Sequence, residues 1–86
     1  MFEWFYFMEG KAEFLDHLDN MIVFQQKKLL KLAREVIPHL TPEDIRNPQD
    51  FPQLGKDVLF NYEDGILNGF LSVRTSYLSY LKGDLE

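Results

Sequence analysis

Apolar residues recur along the first part of the chain at alternating intervals of three and four. Leu15, Leu18, Ile22, Gln25, Leu29, Leu32 and Val36 form one such seam, with Gln25 as its polar member. This spacing returns side chains to one side of an α-helix and is the pattern of helices packed in coiled-coil fashion. Trp4, Met8 and Lys11 carry the same phase backwards across Gly10. The pattern therefore predicts a single helix over about 3–37. Phe7, Phe14 and Met21 widen its stripe on one side. Val23, Leu30 and Ile37 add a second apolar row that a helix facing a single partner does not need.

A second helical pattern covers about 56–82. Leu59, Ile66, Phe70, Val73, Tyr77, Tyr80 and Leu81 share one face of a helical wheel, and Leu67, Leu71 and Leu78 broaden it. Gly65, Gly69, Ser72, Ser76 and Ser79 form an adjacent row of small residues, also spaced by threes and fours. A glycine in a helix interior costs about 1 kcal/mol relative to alanine. The regular row suggests that a close helix approach offsets that cost, with Gly69→Leu overpacking the contact.

All four prolines, Pro38, Pro42, Pro48 and Pro52, lie between the two patterns, followed by Gly55. Proline lacks the amide donor of a helix interior and clashes with the preceding turn, so 38–55 reads as a linker. Thr41-Pro42-Glu43-Asp44 and Asn47-Pro48-Gln49-Asp50 each offer a capping side chain, a proline for the first helical position and acids for the first turn. One or two short helical turns are expected there, with Ile45, Phe51 and Leu54 tucked against the helix ends. The two long helices have similar predicted lengths, about 45 Å from Gly10 onward and about 40 Å at 1.5 Å per residue. The expected fold is all-α: a long antiparallel helical hairpin in one domain.

Composition adds a constraint. Hydrophobic residues make up 45% of the 86 residues and aromatics 15%, more apolar surface than one hairpin of this size encloses. Dimerisation into a four-helix bundle is the simplest remedy, with Trp4, Phe5, Val23, Leu30, Ile37, Leu67, Phe70 and Leu71 as candidate contacts. Glu63 and Arg74 interrupt the apolar face of the second helix, and buried charge is costly unless paired. Antiparallel packing of that helix on its own copy would set each against the other. Within the chain, Lys28 or Lys31 is the alternative partner for Glu63.

Charge and chemistry narrow the function class. A formal charge of −5 disfavours nucleic acid and anionic lipid as partners, since both require a basic surface. Lys27, Lys28, Lys31 and Arg34 do form a basic cluster, but one that complements the C-terminal end of a helix dipole. No uninterrupted apolar run approaches the ~20 residues of a membrane span. The aromatic, acidic opening MFEWFYFMEG lacks the basic flank of a secretory signal. There is no cysteine, which suits a reducing cytoplasm and removes thiolate chemistry. Glu13 with His17, and Glu35 with His39, have the spacing to share a helical face, yet they lie off the seam and read as solvated side chains rather than metal ligands. No nucleophile elbow, P-loop, dinucleotide fingerprint or HExxH is present. The expectation is a cytoplasmic, homodimeric protein-interaction module without a cofactor or catalytic role. A nucleic-acid-associated regulator using Lys27–Arg34 is the rival, and a bundle enzyme with a carboxylate site between subunits the third reading.

Overall fold

The computed structural model describes residues 2–84, and the side chains of residue 10 and of residues 12–83. Two long helices, α1 (Phe2–Val36) and α3 (Val58–Asp84), pack against each other. They run antiparallel: Asp19 of α1 meets Arg74 of α3, whereas Gln25 and Lys28 meet Glu63 near the opposite end of α3. No strand occurs among the described residues. α1 runs unbroken across Gly10, and a 35-residue helix is about 52 Å long, close to the longest dimension of the chain, 54 Å.

The linker is more ordered than its prolines suggest. It makes two 3-10 turns, Asp44–Arg46 and Pro48–Asp50, and a single α-turn, α2 (Pro52–Gly55). Each of the last two has its proline at the start, where no amide donor is required. Thr41 and Asp44 cap one another: the Asp44 amide donates to Thr41 Oγ1 at 3.3 Å, and the Thr41 amide donates to Asp44 Oδ2 at 3.0 Å. Asp57 starts α3 by accepting the Phe60 amide at Oδ1, 2.8 Å away. Asn61 ties the same turn to the linker by donating to the Gly55 carbonyl at 2.9 Å.

The core is concentrated at this closed end. Phe60, Leu29, Leu40 and Leu54 are the largest fully buried side chains, and Ala33 is buried with them. Val36, Ile37, Ile45 and Phe51 pack around the cluster. Arg34 reaches over it and donates from Nε to the Leu40 carbonyl at 2.9 Å. Towards the open end, Leu18 and Ile22 remain buried, whereas Leu15, Tyr77 and Leu81 are only half-covered. An edge-to-face contact between Phe14 and Tyr77, with ring centroids 4.8 Å apart, holds the helices together there.

Two expectations about α3 are corrected. Its seam is Phe60, Glu63, Leu67, Phe70, Arg74, Tyr77 and Leu81, which keeps Leu67, Phe70, Tyr77 and Leu81 of the expected face but is rotated roughly 25° from its centre. Leu59, Val73 and Tyr80 are about half exposed or more. The rotation occurs because Glu63 and Arg74 find polar partners on α1, which allows charged positions to face the seam. The small-residue row also turns away from α1: a Cβ built at Gly65 or Gly69 meets nothing within 4 Å. The close approach that Gly69→Leu would overpack does not exist within the chain. Gly65→Ala is accordingly expected to raise stability by about 1 kcal/mol through helix propensity, measurable as a higher urea midpoint with an unchanged slope.

Candidate functional site

Two features of the hairpin depart from plain apolar packing. The first is a polar cluster within the seam. Gln25 of α1 is buried and donates from Nε2 both to Glu63 Oε2 at 2.6 Å and to the Glu63 backbone carbonyl at 2.9 Å. Lys28, one turn further on, places Nζ 2.9 Å from Glu63 Oε1. Both carboxylate oxygens thus have a partner, and no buried side-chain polar atom among the described residues lacks one. The Gln25 hydrogen bond, reinforced by Lys28, holds the Glu63 carboxyl below its ordinary value. About three turns further along α3, Arg74 donates from Nε to Asp19 Oδ1 at 2.6 Å.

The second feature is a groove of about 640 Å³ between α1, the linker and α3. Val23, Leu29 and Leu30 form one wall, Leu67 and Leu71 the other, and Pro42, Ile45 and Pro48 close its end. Lys27 and Arg46 stand on its margin, and neither is ion-paired with another described residue. Asp64 lies on the α3 side, where burial pushes its carboxyl up despite a hydrogen bond with Asn68. This is an apolar trough with cationic margins, and its lining residues include no serine, threonine, cysteine or histidine.

The proposed contact residues divide between these features. Val23, Leu30, Leu67 and Leu71, distant in sequence, come together along the groove, although Leu67 is spent mostly on the seam. Ile37 and Phe70 pack against the core. Glu63 and Arg74 are paired inside the chain, Glu63 with Lys28 as the alternative reading had it, so neither needs a second copy to neutralise it. Trp4 and Phe5 lie outside the described side chains. Sequence reasoning missed Gln26, Asp64 and Asn68 as groove-lining residues, as well as Leu40 and Ala33 in the core; periodicity carries no signal for a residue buried by a linker folding back.

Glu13, His17, Glu35 and His39 are all exposed, and no group of three or more metal-ligating side chains comes together among the described residues. Nor is any helix among the described residues long and apolar enough to cross a membrane. No protein-family model matches the chain, and no curated protein or solved structure is significantly similar to it.

The Gln25–Glu63 pair generates a prediction. Gln25→Leu and Glu63→Leu each remove one hydrogen bond from a buried polar partner and should lower the urea midpoint, whereas the double substitution should recover most of the loss. Acidification should act on the same pair. A carboxyl whose folded value is depressed contributes stability that is intact above its ordinary value of 4.5 and is lost as pH falls through the folded value. Glu63→Gln should therefore flatten the acid limb of a stability–pH profile below pH 4.5.

Proposed function

We propose that this chain is a protein-interaction module that works as a homodimer and presents the linker-end groove to a further protein. The observation that carries the reading is surface left open once the hairpin has closed. The chain exposes 6696 Å², against about 5,300 Å² for a compact monomer of its mass. Its radius of gyration is 16.8 Å, against about 12 Å for a compact domain of this length. Phe14, Met21, Val23, Phe24, Leu59, Leu71, Val73 and Leu78 are all exposed large apolar side chains. A stable dimer buries roughly 600–1,000 Å² on each partner, less than the excess of about 1,400 Å² that each chain carries.

The groove favours a partner segment of defined chemistry. Its apolar walls suit the apolar face of an amphipathic helix, and Lys27 and Arg46 on its margin favour acids flanking that face. The nucleic-acid reading has less support, because Lys28 of the cluster is paired with Glu63 and the chain carries a net charge of −5. An enzymatic reading has none from the groove, whose titratable lining is Asp64, Lys27 and Arg46.

Sedimentation equilibrium at micromolar concentration should return the dimer mass, and a folded monomer at high micromolar concentration overturns the reading. An acidic amphipathic helical peptide should bind the protein with an affinity that falls at least tenfold in Lys27→Glu/Arg46→Glu. Equal binding by the reversed-charge protein would remove the groove from the proposal.

A further inference from the structure

Rotation of the α3 seam leaves a second row on that helix largely exposed to solvent. Leu59, Tyr62, Ile66, Gly69, Val73 and Tyr80, together with Ser76, follow one another at intervals of three and four on the flank away from the groove. The row extends about 32 Å along the helix and contains no charged residue. Val73 is 49% exposed, Leu59 53% and Tyr62 66%; only Ile66 is half-covered among its aliphatic members. An uncharged row of this length on a chain of net charge −5 is a surface that water does not favour.

The row is nearly symmetric in spacing about its middle residue, and its bulkiest aliphatic positions lie to either side of that residue. Gly69 stands at its centre, with Tyr62 and Ser76 seven residues to either side. Ile66 and Val73 flank the centre, and Leu59 and Tyr80 end the row. Antiparallel packing on an identical row brings Ile66 over Val73 and Leu59 over Tyr80 about a two-fold axis within one residue of Gly69, an isologous arrangement. The space above Gly69 is empty to 4 Å, so the central position offers no side chain to hold two backbones apart. Met21 and Phe24 line a shallow hollow with Phe70 on this flank and add apolar area beside the row.

We infer that this row of α3 is the dimer seam, with a second copy of the chain packed antiparallel across it and the two-fold axis beside Gly69. The inference rests on the dimeric reading above and specifies its surface. Ile66 then opposes the partner subunit's Val73, and Leu59 opposes the partner subunit's Tyr80. The charges that first suggested a symmetric α3 pair, Glu63 and Arg74, take no part in it. The groove faces the opposite flank and stays open in the dimer.

The natural absence of cysteine makes the test clean. Gly69→Cys places two sulfurs beside the axis, within the reach that a disulfide demands, and should give a covalent dimer under mild oxidation. Gln26→Cys, on the groove flank, should give little. Val73→Lys and Gly69→Leu should each raise the dimer dissociation constant at least tenfold by sedimentation. Helical circular dichroism should be unchanged, because both positions are exposed within the chain. If the protein is a dimer but Gly69→Cys does not cross-link and both substitutions leave the constant unchanged, the seam lies elsewhere and the dimeric reading survives. A monomeric protein overturns both.

Discussion

Two helices have only one seam between them. An α-helix buries a stripe against its neighbour, and a pair of helices with nothing above or below leaves the rest of each circumference in water. Every other feature of this chain follows from that limit. The linker folds into three short turns because Leu40 and Leu54 are needed to close the one end where a three-sided core can form. Away from that end the seam is thin, and Leu15, Tyr77 and Leu81 remain half-covered.

A thin seam also makes polar residues affordable within it. Glu63 sits where an apolar side chain would be expected, yet Lys28 reaches it from a half-exposed position and Gln25 supplies the remaining hydrogen bonds. Such a cluster contributes little net stability compared with apolar packing of equal volume. Its effect is on alignment, since sliding α3 by one turn would strand both Gln25 and Glu63. Aliphatic residues alone tolerate such sliding better, because any apolar side chain satisfies another. The Asp19–Arg74 pair marks the same alignment further along the hairpin.

Once the alignment is set, the two flanks acquire different characters. One carries the groove, apolar at its base, with Lys27 and Arg46 on its margin and Asp64 on one wall. The other carries aromatic and aliphatic side chains without charge on α3. The proposed partner site and the proposed dimer row are compatible because they lie on opposite sides of one seam.

The three-four spacing of Leu15 to Val36 and the grouping of the prolines were enough to anticipate two long helices and an antiparallel return, because both are local consequences of helix geometry and proline chemistry. The α1 seam was legible for the same reason. The α3 seam was legible only in part. Apolar content placed Leu67, Phe70, Tyr77 and Leu81 on it, as packing does, but set Leu59, Val73 and Tyr80 beside them, whereas packing uses Glu63 and Arg74, whose partners lie 38 and 55 residues away in sequence. Whether a charged position can face a neighbour depends on what that neighbour offers, and periodicity within one helix does not contain that information. The groove has the same origin. Val23, Leu30, Ile45, Leu67 and Leu71 are unremarkable along the chain, and only the return of α3 beside α1, with the linker folded over their junction, makes them one surface.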